Sequence, residues 1–333
     1  MDWSLLLPLT AAIAVPQGAA APAPLVHTYS IVARDPETGQ MGVAVQSHYF
    51  SVGPIVPWAE AGVGAVATQS LVLVDYGPNG LDLMREGKTA QEALDQLVAA
   101  DPHNEGRQVA MIDAKGNVAA YTGPKCIPDA GHQTGARYSV QANLMANDRV
   151  WPAMAEAFEK AKGDLAERMM QALEAAERAG GDIRGKQSAA ILIVKAESTG
   201  KPWADRVMDL RVEDSEDPLK ELRRLIRLRR AYNHEDAGDA FIAAGKPEEA
   251  MREYEQAAKL APDITELQFW AAVGMYTNGR EKEGLALFRE VFARERRWVD
   301  LIPRLAQVGL FPDDPKRIEE VLDQRPRGRL NRR

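Results

Sequence analysis

The run Ala189-Ala190-Ile191-Leu192-Ile193-Val194 is apolar at every position. Side chains of a strand alternate between its two faces, so a strand with one wet face carries polar residues at every second position. This run carries none, and its sheet must therefore be covered on both sides. Gly62-Val63-Gly64-Ala65-Val66-Ala67-Thr68-Gln69 has the same character, built from smaller residues. Two stacked sheets lying between helical layers meet that demand.

The neighbouring segments supply both kinds of element. Thr28 to Arg34 reads as a strand, Pro36-Glu37-Thr38-Gly39 as a turn and Gln40 to Gln46 as the returning strand of a hairpin. Arg107 to Asp113, a turn at Ala114-Lys115-Gly116-Asn117 and Val118 to Thr122 repeat the pattern, and Tyr138 to Asn143, Ala189 to Lys195 and Met208 to Val212 are further strands. Leu81 to Ala100 reads as a helix opening after Asn79-Gly80, with a split near Gly87 and Thr89, and Val150 to Ala179 as a second stretch broken at Gly163-Asp164. Hairpins, helices and hairpins again predict an α+β fold.

Several runs together carry a family resemblance: Tyr29-Ser30-Ile31-Val32-Ala33-Arg34-Asp35, Gly42-Val43-Ala44-Val45-Gln46-Ser47, Val56-Pro57-Trp58-Ala59-Glu60-Ala61-Gly62, Ala130-Gly131-His132 and Gln187-Ser188-Ala189-Ala190. From Thr28 to about Leu228 the chain resembles the domain of unknown function 1028 family, which is grouped with the N-terminal nucleophile (Ntn) hydrolases. The resemblance implies a four-layer αββα sandwich. It also implies a mechanism, in which a Thr, Ser or Cys at the chain start attacks an amide carbonyl and its own α-amino group, titrating near neutrality, is the base.

Thr28 stands where such a nucleophile would stand, and Ser30 faces the same way two residues on. Nothing can precede the nucleophile, whereas a leader cut near Ala21 leaves Pro22 to His27 attached. Matching hairpins with proteasome-like members puts Gln46 in the place of a carboxylate, and Asn143 is the amide placed to donate to an oxyanion. His48, just past a strand, and His132, in a glycine-bearing loop, are candidates to orient a base; the alternative for both is a structural or surface position. The same alternative holds for Thr28 and Ser30 as ordinary strand hydroxyls.

Other chemistries lack their residues. The chain has 333 residues, 27% of them charged, and a net charge of −7, which gives no basic footprint for nucleic acid. Cys126 is the sole cysteine and reads as a buried apolar group in a loop; His-x-x-x-His and Gly-x-Ser-x-Gly are absent, and Gly62 with Gly64 lack the context of a dinucleotide site. No metal or cofactor is expected.

At the front, Trp3 to Val15 followed by Gly18-Ala19-Ala20-Ala21 resembles a secretory signal, so residues 1–24 read as a leader and linker and the protein as secreted or periplasmic. No basic residue precedes the apolar run, and no later stretch is long and apolar enough to span a membrane. After a core domain over residues 25–230, residues 231–324 read as an all-α tetratricopeptide-like region. Gly245, Ala250 and Tyr254 stand 34 positions before Gly279, Gly284 and Phe288. Residues 325–333 carry five arginines and read as a disordered tail. The functional expectation is an exported Ntn-type amidohydrolase acting on a small amide or peptide. The competing one is a non-catalytic scaffold whose helical repeats hold a protein partner, and self-association is a further candidate.

Overall fold

A computed structural model describes residues 25–326. The leader and most of the basic tail lie outside the described residues. Among the described residues eleven strands and ten α-helices follow one another. The first part runs β1 (Leu25–Val26), β2 (Thr28–Arg34), β3 (Met41–Ser47), β4 (Pro57–Glu60), β5 (Gly64–Leu71), α1 (Tyr76–Arg85), α2 (Ala90–Ala100), β6 (Arg107–Asp113) and β7 (Val118–Thr122). It continues through β8 (Gly131–Gly135), β9 (Tyr138–Ala142), α3 (Val150–Lys160), α4 (Leu165–Arg178), β10 (Ser188–Val194) and β11 (Arg206–Val212).

The strands make two antiparallel sheets. One has the order β11-β10-β3-β2-β9-β8, with β10 in its interior, where its unbroken apolar run is covered on both faces. The other has the order β1-β5-β6-β7, and β4 shares the β5 edge with β1. The inner faces meet through Val32, Val43, Val45 and Ala190 from the first sheet and Ala65, Ala67, Ala110 and Ile112 from the second. Residues of α3, α4 and the next helix cover the outer face of the first sheet, where Met154, Phe158, Met169 and Leu173 meet Tyr29, Ile31 and Ile191. Helices α1 and α2 cover the second through Leu81, Met84 and Leu94 against Val66, Val109 and Met111.

Local chemistry explains the helix breaks. Gly87 takes φ +98°, and Thr89 then starts α2 with a capping box, its hydroxyl accepting from the Glu92 amide while the Glu92 carboxylate accepts from the Thr89 amide. Gly163 at φ +110° and the Asp164 cap separate α3 from α4 in the same way. The start of α1 differs from the sequence reading, since the helix opens at Tyr76 and passes through Asn79 and Gly80. Gly77 and Gly80 are there for close approach: a Cβ would lie 2.4 Å from the Trp58 ring at the first and 2.9 Å from Met111 at the second. Gly131 and Gly135 likewise lie against the rings of Trp151 and Tyr138, within strand β8 rather than in a loop.

Beyond the sheets comes a helical region: α5 (Pro218–Ala243), α6 (Pro247–Leu260), α7 (Thr265–Thr277), α8 (Glu281–Arg294), a 3-10 segment (Arg296–Leu301), α9 (Ile302–Gln307) and α10 (Pro315–Leu322). Helix α5 passes position 230 without a break: Leu219, Leu222 and Ile226 pack on the first sheet's outer layer, whereas Ala231 packs with Ala257, Ala261 and Leu267. Gly245 and Gly279 turn the chain at φ +70° and +86°, and the stacked rings of Tyr276 and Phe311, 5.5 Å apart, close the far end. Among the described residues no helix is long and apolar enough to cross a membrane.

Gly42, between β2 and β10, is the tightest test of this packing. A Cβ there would lie 2.2 Å from the Leu192 carbonyl oxygen and 2.9 Å from the Ile193 Cα, backbone atoms that cannot yield alone. Gly42→Ala is expected to cost at least about 2 kcal/mol of stability in urea unfolding.

Candidate functional site

The chain changes sheets at His27. Val26 pairs with Ser70 on β5, and Thr28 pairs with Ser47 on β3. Alternation then sends Thr28, Ser30 and Val32 into the space between the sheets, and Tyr29 and Ile31 toward α4. That space is apolar along most of its length. At the Thr28 end it holds polar side chains, all buried.

These groups satisfy one another. Ser30 Oγ donates to Gln69 Oε1 and accepts from Gln141 Nε2, both at 2.6 Å. Gln69 Nε2 donates to Gln108 Oε1 at 2.7 Å and to the Thr28 carbonyl at 3.2 Å. Asn143 Nδ2 donates to Gln108 Oε1 at 2.9 Å, and Asn143 Oδ1 accepts from His27 Nδ1 at 2.7 Å. Gln108 Nε2 reaches Thr122 Oγ1 at 2.9 Å, which pairs with His132 Nδ1 at 2.8 Å. A hydrogen-bonded chain thus runs from Ser30, deep between the sheets, to His132 at the rim.

The peptide bond before Thr28 is also gripped. The His27 carbonyl oxygen accepts from Ser47 Oγ at 2.5 Å and from Arg184 Nη2 at 2.8 Å. Arg184 is oriented by Asp182, whose carboxylate it contacts at 2.7 Å through Nη2 and 3.0 Å through Nε. The Thr28 hydroxyl donates to the Val26 carbonyl at 2.9 Å. Burial pushes the His27 imidazole pKa down, with the nearby Arg184 charge acting the same way, against the Asn143 bond and the Asp182 charge, so its neutral form is favoured.

Two of the four non-glycine residues with positive φ among the described residues lie here. Ser70 at φ +74° follows Gln69, and Leu144 at φ +58° follows Asn143; both preceding residues donate to the Thr28 carbonyl, Asn143 through its backbone amide at 3.1 Å. A non-glycine residue held in that region costs free energy and persists only where its surroundings impose it, as functional sites do.

Of the residues expected from sequence, Thr28, Ser30 and Asn143 come together, and both hydroxyls are fully buried with residues 25–27 in place. Gln46 does not join them. It pairs with Tyr29, so its side chain shares the helix-facing side of the sheet, where neither amide atom has a partner. The residue of β3 that faces Thr28 is Ser47. His48 is exposed and meets the site only through its backbone amide, 3.4 Å from Asp182 Oδ2. Cys126 is buried with its thiol on the Arg107 carbonyl at 3.3 Å, and burial pushes its pKa up. His27, Ser47, Gln69, Gln108, Gln141, Asp182 and Arg184 were not singled out from sequence. The available signal was a glutamine near one end of each of three otherwise largely apolar strands.

The family model described as a family of unknown function, DUF1028, matches residues 28–222. The chain belongs to the DUF1028 family. The crystal structure of protein SPO2555 from Silicibacter pomeroyi, described as DUF1028, is similar at 30% identity over 60% of this chain and 85% of that one, with a TM-score of 0.55. No functionally curated protein matches the chain. The DUF1028 match opens at Thr28, where β2 opens.

Two outcomes follow from the network. Ser30→Ala leaves Gln69 Oε1 and Gln141 Nε2 without their partner, so a loss of about 1–3 kcal/mol for each group is expected in urea unfolding. The unfolded imidazole titrates near 6.5, above its folded value, so the unfolded chain takes the proton first as pH falls. Stability is full above about pH 6.5 and declines below it. His132, whose pKa is also lowered by burial, acts in the same direction, so His27→Gln should shallow the decline seen in thermal melts and His27→Gln with His132→Gln should shallow it further.

Proposed function

We propose that the protein is an amide hydrolase of the N-terminal nucleophile type, with Thr28 as its nucleophile, and that the described form precedes cleavage of the bond between His27 and Thr28. One observation carries this reading: the carbonyl directly before Thr28 is held by two donors, one of them a guanidinium. Donors aimed at a carbonyl oxygen stabilise the oxyanion that forms when the carbon is attacked.

In the proposed reaction Thr28 Oγ1 bonds to the His27 carbonyl carbon and the C–N bond breaks. The hydroxyl proton passes to the departing Thr28 nitrogen. Water then hydrolyses the ester, releasing a carboxylate at His27 and restoring the Thr28 hydroxyl beside the amine freed in the first step, which becomes the base for later substrates. Ser30 is the weaker candidate, because its hydroxyl is committed on both sides to Gln69 and Gln141. Asn143 and Gln69 act as positioning residues through the Thr28 carbonyl.

The layering supports placing the core among four-layer αββα Ntn folds, with helices outside each of two facing sheets. The spacing supports two tetratricopeptide-type repeats in the helical region. Gly245 and Gly279, and the buried Tyr254 and Phe288, stand 34 residues apart in equivalent turns and helices. The proposed setting is outside the cytoplasm, after the leader in residues 1–24. A second reading, a non-catalytic scaffold using these repeats for a protein partner, has the complete burial of Thr28 and Ser30 in its favour.

Intact mass of the full chain decides between them. The hydrolase reading expects a mature chain beginning at Thr28, an uncut chain for Thr28→Val, and cutting slowed by about 100-fold for Ser47→Ala or Arg184→Met. A mature chain that begins at Ala21 or Pro22 overturns it.

A further inference from the structure

We propose that the slot filled by Leu25, Val26 and His27 is the binding site for an extended peptide. Its occupant has a neutral planar hydrogen-bond donor, an imidazole or carboxamide, on the residue whose carbonyl is attacked, and a small β-branched aliphatic side chain on the residue before. This deepens the Ntn-type reading by naming its substrate class, and it rests on that reading for the fate of the bound peptide.

The three residues are held by three separate devices, none of which requires them to be covalently joined to Thr28. Leu25 and Val26 add to the β5 edge opposite Leu71 and Ser70, end to end with β4. Once they leave, that stretch of edge is open to antiparallel strand addition by any extended chain. The Val26 side chain is fully buried in the apolar cluster with Val52, Val56 and Val72, which selects for size and against charge.

The His27 ring sits in the polar part of the slot and sets the chemistry. Asn143 spends its amide N–H on Gln108 and so presents Oδ1 to the occupant. An acceptor oxygen requires a donor opposite it, which a neutral imidazole or a carboxamide supplies and a carboxylate does not. A cationic side chain is disfavoured by burial and by the Arg184 guanidinium on the same residue's carbonyl. Leu25, half exposed at 53%, marks where the bound chain would leave the protein. The Ser47 and Arg184 donors then meet the carbonyl of the bound peptide as they meet that of His27.

The test uses the full chain, kept uncut by Thr28→Val. Adding His27→Gly empties the ring site while leaving the main chain in place, and the probe is imidazole. Saturable thermal stabilisation is expected at pH 8 and its loss at pH 5.5, where the probe is protonated, with no response in the parent or after Asn143→Ala. A folded His27→Gly chain that shows no saturable response, or an equal one with Asn143→Ala, overturns the proposal.

Val26→Asp gives a second route, because a carboxylate cannot stay in the apolar cluster and β1 must leave its edge. Labelled acetyl-Leu-Val-His-amide, followed by fluorescence anisotropy, should bind this variant at least about tenfold more tightly than the parent. Acetyl-Leu-Asp-Glu-amide should bind at least about tenfold more weakly than the first peptide, and equal binding of the two overturns the proposal. Cutting is read separately by mass in the Thr28 chain. A chain that binds the peptide but is never cut keeps the slot and loses the nucleophile, whereas one that is cut but never binds loses the slot.

Discussion

A carboxamide placed between two dry sheets must find partners for its N–H and its carbonyl, because each group left unpaired there costs more than a hydrogen bond contributes. In this protein that requirement sets the relation between the sheets. Gln69 and Gln108 come from one sheet, and Ser30, Gln141 and Asn143 belong to or directly follow strands of the other. Their bonds cross the gap, so a slide of either sheet by one residue would strand several polar groups at once. Apolar residues such as Val43 and Ala65, buried in one cluster, hold the sheets together without preferring one register. The amides supply the preference, and they supply it at the end where β2 begins.

The position of the His27–Thr28 bond follows from that alignment. The chain lies along β5 at Val26 and along β3 at Thr28, so the connecting residue has to cross between sheets with its carbonyl turned toward Ser47 and Arg184. Strain at Ser70 and Leu144 is localised beside the same crossing. Both residues follow residues that hold the Thr28 carbonyl, so the free energy stored in those conformations is offset by the network it serves. The helices outside the sheets bear on none of these contacts directly. They allow strands such as β10 to be apolar on both faces, which keeps water out of the gap.

Much of the architecture was legible in the residues. The strand Thr28–Arg34 and the hairpin of β6 and β7 have the bounds that composition and turn residues predict, and the helix breaks near Gly87 and Gly163 fall where a positive φ and a capping side chain demand them. Two misreadings share a cause. Gly80 looked like a helix boundary and Gly131 like a loop because glycine weakens regular structure locally. In the fold each is used for a close approach, to Met111 and to the Trp151 ring, which no local pattern announces.

The site divides in the same way. Alternation along β2 was enough to put Thr28 and Ser30 on one side, and the family resemblance, which opens at Thr28, singled that residue out. Strand pairing decided the rest: Thr28 stands opposite Ser47, which turns Gln46 to the other face, and the crossing at His27 brings Arg184 from 157 positions away. Spacing within a strand is a local property, fixed by backbone geometry, and the sequence carries it whole. Which glutamine meets which serine across a gap depends on the register of two sheets, and that register exists only once burial has made unpaired amides intolerable.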